Sequence, residues 1–234
     1  MADLLSNGGK AEVFDRCKQL QVDLGWEFDP KCDPAYEMDA VAVLTNSGGH
    51  IRHRLDLVTY DSENLITLDG EEHPCSYDES VIGPATYGDQ EVAPGVSRVE
   101  FLVDLSKTDK RVKVIHFALC LYWDETNLRD VRRSYNFGKL SNVYISFKEQ
   151  STGKELLRHQ LNILNVNNCK GAVIGQLCRK GDSWRYAAKG IGLKNGWEDI
   201  LNRFANAPME ALDFWMCFNL TLLLREQSYN FIIW

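Results

Sequence analysis

Residues 98–105 read Arg98-Val99-Glu100-Phe101-Leu102-Val103-Asp104-Leu105, with Val99, Phe101, Val103 and Leu105 on one parity. Successive side chains of a strand point to opposite faces, so this alternation predicts a strand with one buried face. Residues 37–44 repeat it: Met38, Ala40, Ala42 and Leu44 share one face and Asp39 takes the other. Residues 112–123 are apolar almost throughout, as in a central strand covered on both sides. Further strands are expected over residues 142–148, 155–164, 172–179 and 184–189. The intervening Ser151-Thr152-Gly153-Lys154 and Lys180-Gly181-Asp182-Ser183 are short polar turns with glycine, as hairpins require. Many short strands in succession predict an all-β fold, a two-sheet β-sandwich around a single core.

One or two C-terminal helices should accompany it. Asn195 and Glu198 have the spacing of a capping arrangement, and Trp197, Ile200, Leu201 and Phe204 recur at helical spacing on a face that should pack on the sandwich. Pro208 suits the first turn of a second helix leading into residues 211–224, which are apolar nearly all round. The expected division is a sandwich domain over residues 1–206 and an apolar tail over residues 207–234. The tail is interrupted by Asp213 and Asn219 and broken by Arg225-Glu226-Gln227, so it falls short of the roughly twenty apolar residues of a membrane span. A buried or partner-facing segment is the expectation, and membrane association is disfavoured.

A net charge of -7 argues against an electrostatically driven nucleic-acid binder, although Arg129, Arg132 and Arg133 form one small basic cluster. The seven cysteines are an odd number without CxxC spacing, which fits a reducing cytoplasm better than a disulfide framework. Cys120, inside an apolar run, reads as a small core hydrophobe. His50 and His53 follow a turn, and a strand there would put their rings on opposite faces, which argues against a zinc pair. GxSxG, GxxxxGK[ST], HExxH and GxGxxG signatures are all absent, and no nucleophile–base pair follows from spacing, so the expectation is a protein that is not an enzyme.

One segment stands out chemically. Between Leu55 and Ser97 there is no Lys or Arg, yet there are ten carboxylates, among them Asp56, Glu63, Asp78, Asp89 and Glu91. Gathered carboxylates repel one another unless a proton, a basic side chain or a metal compensates. Hard oxygens on a glycine-containing loop suit calcium better than zinc or copper. The competing reading is a solvated acidic surface loop.

The ordered fragments Leu24-Gly25-Trp26, Tyr36-Glu37-Met38-Asp39-Ala40, Gly88-Asp89-Gln90-Glu91, Val103-Asp104-Leu105-Ser106, Asn136-Phe137-Gly138-Lys139-Leu140 and Trp184-Arg185-Tyr186-Ala187 together resemble the TerD family of tellurite-resistance and stress-response proteins. The resemblance runs from about residue 5 to about residue 204. It implies a cytoplasmic β-sandwich that binds calcium through acidic loops, serves bacterial chemical-stress or phage-defence systems, and has no established catalytic activity. Carried over residue by residue, it makes Asp39 the second acid of the family's DLDA strand, with Glu37 in the place of the first. Asp78 falls near the Asp of a GDN motif and Gly83 near the glycine of an acidic run, whose terminal GDDE is matched by Gly88, Asp89 and Glu91. The implied metal residues are therefore Glu37, Asp39, Asp78, Gly83, Asp89 and Glu91. Gln90 replaces one acid, and Gly83-Pro84-Ala85-Thr86-Tyr87 departs from the family spacing, so one or two Ca2+ ions are expected, held more weakly. Metal binding would then set loop geometry and control docking of a protein partner or self-association. The alternative is a scaffold or membrane-associated interaction protein with a vestigial metal site, acting through its apolar tail. Arg132, Arg133, Tyr135, Asn136 and Phe137 combine charge with aromatics and are a candidate contact surface for a partner or a nucleotide phosphate; the competing reading is a solvated loop before a strand, with Phe137 anchoring it to the core. Trp184 and Tyr186 read as core.

Overall fold

The computed structural model describes residues 3–5, 10–11, 17–28, 38–85, 90–93, 95–121 and 136–205, of which 3–5, 10–11 and 90–93 are described as backbone. The first sheet runs β1 (Asp3–Leu5), β13 (Glu155–Gln160), β12 (Leu140–Glu149), β3 (Gln19–Phe28), β10 (Val96–Asp104) and β8 (Val81–Ile82), and β9 (Gln90–Ala93) also pairs with β10. The second runs β2 (Lys10–Ala11), β15 (Ser183–Leu193), β14 (Gly171–Lys180), β11 (Val114–Leu121), β4 (Met38–Thr45) and β5 (Leu57–Val58). β6 (Leu65–Leu68) and β7 (Glu71–Pro74) form a separate hairpin. Among the described strands pairing is antiparallel except between β1 and β13.

The alternation read from the sequence is what builds the core. Met38, Ala40, Ala42 and Leu44 of β4 and Val99, Phe101 and Val103 of β10 all face the space between the sheets. Phe117 of β11 meets Phe101 and Phe147 edge-on, each at 6.1 Å between centroids, the arrangement favoured by the quadrupoles of the rings. Trp184 and Tyr186 are core residues as expected, and Phe137 is wholly buried. The hairpin turns fall where the glycines predicted them: Gly153 and Gly181 adopt φ of 68° and 63°, a left-handed backbone that glycine takes without a Cβ penalty.

The outer face of the second sheet is also apolar. Val41, Val43, Ala118, Cys120 and Val173 lie there, under α1 (Trp197–Phe204), which buries Ile200 and Phe204 against them. Cys120 is thus buried as expected, in this second cluster rather than the first.

Four details differ from the sequence reading. β3, unassigned there, is central in the first sheet and is paired along its length on both sides. Its Gly25 leaves room for Tyr144, whose ring a Cβ at residue 25 would meet at 2.3 Å. β13 stops at Gln160, and Ile163–Asn165 form a 3-10 turn capped by the Asn162 side chain. His53 does not continue a strand: it precedes the 3-10 turn Arg54–Asp56 and its Nδ1 accepts from Leu55 N at 3.1 Å. The helix cap is Gly196 rather than Asn195, whose backbone N–H and Nδ2 donate to the Asp199 carboxylate at 3.0 and 3.1 Å. The expected second helix and the tail from residue 207 lie outside the described residues.

Candidate functional site

Phe28, the last residue of β3, pairs with Leu140; Phe137 N donates to Cys169 O at 2.9 Å and Leu121 N to Lys170 O at 2.8 Å, so the end of β3 and the start of β4, where Met38 pairs with Leu121, lie at one end of the sandwich. Phe28 N donates to Gly95 O at 2.9 Å, which brings the start of β10 to the same end. Leu121, the last residue of β11, is there too, paired with Met38. The described chain therefore brings the starts of β4 and β10 and the ends of β3 and β11 together.

Asp39 stands at this end. It is 5% exposed, lies opposite Cys120 in the β4–β11 ladder, and belongs to the parity that faces α1. Its Oδ2 accepts a hydrogen bond from the Trp197 indole N–H at 3.1 Å. Burial, together with the charges of Asp39 and Asp199, pushes the Cys120 thiol well up, so it stays protonated beside the carboxylate and makes a poor soft ligand. Glu91 is placed at the same end by its pairing with Ser97 near the start of β10. Glu37 and Asp89 lie outside the described residues.

Asp78 is elsewhere. Its Oδ1 accepts from Ser76 Oγ at 2.8 Å and Ser80 N at 3.1 Å, and its Oδ2 from Asp109 N at 2.8 Å. Asp109 opens the turn that enters β11, where Lys113 N donates to Thr45 O at 2.7 Å. Cys120 pairs with Asp39 and Val114 with Thr45, so this end is six residues from Asp39 along β11, about 20 Å at about 3.3 Å per residue. Asp78 and Asp39 thus occupy opposite ends of the sheet, and Asp78 organises a turn. Gly83 sits between them, packed against Val58 and Pro74; its N–H donates to Pro74 O at 2.7 Å and its carbonyl meets His73 Nδ1 at 3.1 Å. Among the described residues no three of His, Cys, Asp and Glu gather as a metal cluster.

Two acids of the segment, Asp56 and Glu63, are compensated by arginines just before it. Arg52 forks onto Asp56, with Nε 3.0 Å and Nη2 3.1 Å from the two carboxylate oxygens, and its Nη1 lies 2.9 Å from Asp109. Arg54 meets Glu63 at 2.5 Å. Asp56 is wholly buried, so this fork supplies the countercharge a buried carboxylate requires. The sequence order concealed this because the cations come from outside the cation-free stretch. Asp69, Glu71, Glu72 and Glu79 remain exposed, as the solvated-loop reading holds.

Of the candidate contact surface, Arg132, Arg133 and Tyr135 lie outside the described residues. Asn136 caps the following 3-10 turn through its side chain, which accepts from Gly138 N at 3.0 Å. No helix among the described residues is long and apolar enough to cross a membrane.

Fold and site define a two-sheet β-sandwich closed on one outer face by a short C-terminal helix, with a buried acid where strand ends converge. The TerD domain matches residues 1–204, and the chain belongs to the TerD family. Among its relatives, the stress response protein SCP2 of Bacillus subtilis (strain 168) is 25% identical over 80% of this chain and 89% of its own length. The tellurium resistance protein TerD of Serratia marcescens is 23% identical over 87% of this chain and 97% of its own. A crystal structure of a homologue of the telluride resistance protein TerD from Streptomyces coelicolor A3(2) shares the fold, with a TM-score of 0.53 and 15% identity over 80% of this chain and 96% of that one.

Proposed function

We propose that this protein is a non-enzymatic, cytoplasmic, calcium-binding stress-response protein that contributes to resistance against tellurite and other chemical stress. One or two Ca2+ ions would be held where the strand ends converge, by Asp39 with Glu37, Asp89 and Glu91. The observation that carries this reading is the placement of Asp39: a buried carboxylate at the end to which β9 brings Glu91, beside a thiol kept protonated. Hard oxygen donors of this kind match calcium in type. Asp78, spent on three hydrogen bonds at the far end, is left out of the proposed set. Membership of a family whose relatives are called stress-response and tellurium-resistance proteins supports the physiological part. Loading would fix the local geometry and so set docking of a protein partner or of a second copy.

The test is calorimetry of calcium added to the metal-stripped protein, with Asp89→Asn beside it. Saturable binding that weakens in the variant is expected. Absence of binding heat, together with equal melting temperatures in chelator and in excess Ca2+, overturns the calcium reading.

A second reading is favoured by one observation: the family match ends at residue 204, so the apolar residues 207–234 lie beyond the shared domain. Here the tail drives assembly or membrane association. Deleting the residues after Ala207 should then change oligomeric state or membrane fractionation, and no change in either removes this reading.

A further inference from the structure

α1 is eight residues long, well below the length at which an isolated helix persists in water, so its seating depends on tertiary contacts. Ile200 and Phe204 supply the apolar part. At the C-terminal end Ile51 N donates to Phe204 O at 2.9 Å. At the N-terminal end the cap residue Gly196 offers no side-chain hydrogen bond, and Trp197 reaches across to Asp39. That hydrogen bond joins residues 158 apart in sequence, linking the helix to the acid where the strand ends converge.

The geometry matters to a cation because the indole N–H engages Oδ2 and so restrains the orientation of the carboxylate. Hydrogen-bond donors behind a ligating carboxylate orient it, and removing such a partner typically weakens metal affinity about 10–100-fold. Coupling between two equilibria is reciprocal, so a cation that binds better with the helix seated must seat the helix by the same factor.

We propose that Trp197 is a positioning residue for Asp39, and that through this hydrogen bond cation occupancy and the seating of α1 strengthen each other. The inference rests on the calcium reading above and names how that site is regulated. Its consequence is structural: the metal-free protein lifts α1 more often, uncovering the apolar outer face formed by Val41, Val43, Ala118, Cys120 and Val173. Loading closes that face.

The experiment uses the full chain, stripped of metal, as wild type, Trp197→Phe and Ile200→Ala. Calcium affinity is measured by calorimetry, and helix seating by amide exchange at Ile51, Ile200 and Ala205, whose N–H groups bond to Phe204 O, Gly196 O and Leu201 O. The expected result is a loss of about 10-fold or more in affinity for Trp197→Phe. Calcium should slow exchange at the three amides in the wild type and much less in the variant, while the β14–β15 ladder stays unchanged in both. Ile200→Ala loosens the helix without touching the indole, and it too should weaken calcium. Wild-type affinity in Trp197→Phe, or in an Ile200→Ala protein whose Ile51 amide exchanges faster, overturns the coupling and leaves calcium binding standing. A wild-type protein that binds no calcium overturns both.

Discussion

The Lys148 ammonium lies 2.6 Å from the carboxylate of Asp23, which is 2% exposed on the outer face of the first sheet. Gln21 Nε2 bridges Asp23 Oδ1 at 2.9 Å and Glu100 Oε2 at 2.7 Å, and Arg98 stands 3.8 Å away. Burial, and then the charge of Asp23, raises the Glu100 carboxyl above its ordinary range. Removing one partner of a buried pair leaves an uncompensated charge, at a cost of about 3–5 kcal/mol when burial is complete. Lys148 keeps some solvent contact, so Lys148→Met should lower unfolding stability by about 3 kcal/mol, read from urea titrations. Adding Asp23→Asn should recover most of the loss. An unchanged midpoint in the single variant would show that Arg98 alone neutralises the acid.

Two glycines of the sheets make a matched comparison. A Cβ at Gly175 would lie 2.2 Å from Tyr186 Oη, and at Gly25 it would lie 2.3 Å from the Tyr144 ring. Tyr186 is wholly buried and bonded at 2.7 Å to His159, so its ring has nowhere to move. Tyr144 is partly exposed and loses mainly the Arg158 guanidinium stacked at 4.2 Å on its ring. Gly175→Ala should therefore cost about 1–3 kcal/mol through overpacking, and Gly25→Ala less. Thermal melting of the two variants gives the order, and the reverse order would contradict the packing described.

Much of the sandwich was legible because period-two patterning is enforced wherever one face is buried. Met38, Ala40, Ala42 and Leu44 face the core and Asp39 faces away, as the parity of β4 required. β3 carried an equally regular alternation, with Leu20, Val22, Leu24 and Trp26 inward, and its polar partners Gln21 and Asp23 are explained only by the network on the outer face. The two-residue strands β5 and β8 have no period to read. At the site, hydrogen-bonded partners came from distant sequence: Trp197 for Asp39, Arg52 for Asp56, Asp109 N for Asp78. Asp78 and Asp39 looked like one constellation because local sequence fixes neither strand direction nor which end a turn occupies.

His116 provides a pH-dependent test of the helix-covered face. Its Nε2 lies 3.0 Å from Thr45 Oγ1, its Nδ1 lies 2.8 Å from Gln176 Nε2, and its ring packs on Phe204 at 4.5 Å. Burial, reinforced by the positive charges of Arg203 and Lys189, pushes it from 6.5 down to about 3. The unfolded chain takes up this proton first as pH falls, so the contribution is whole above about pH 6.5 and is lost progressively down to about pH 3, at about 1.4 kcal/mol per pH unit. His159, pushed down to about 4 by burial, has the same sign. His116→Gln should accordingly flatten, without abolishing, the fall in stability between pH 6.5 and 4.5, measured by denaturant titration at each pH. A slope equal to wild type would mean that His116 is not held neutral.

The separation of Asp39 from Asp78 gives two conservative substitutions opposite signatures. In Asp78→Asn one oxygen becomes an NH2 group facing donors, either Asp109 N or the pair Ser76 Oγ and Ser80 N, so hydrogen bonds to a charged acceptor are lost inside a tight turn. Such bonds contribute about 1.5–3 kcal/mol each, and the variant should lose stability on that scale. On the calcium proposal its affinity for the ion should stay within about twofold of wild type, because the turn lies about 20 Å from Asp39. Asp39→Asn retains an oxygen that can accept from Trp197 but removes the negative charge a hard cation needs, so calcium affinity should fall well beyond tenfold. Calorimetry and urea titration on the same two proteins decide the matter. If Asp78→Asn abolishes calcium binding while folding remains intact, the cation lies at the turn end and the assignment to the converging strand ends is wrong.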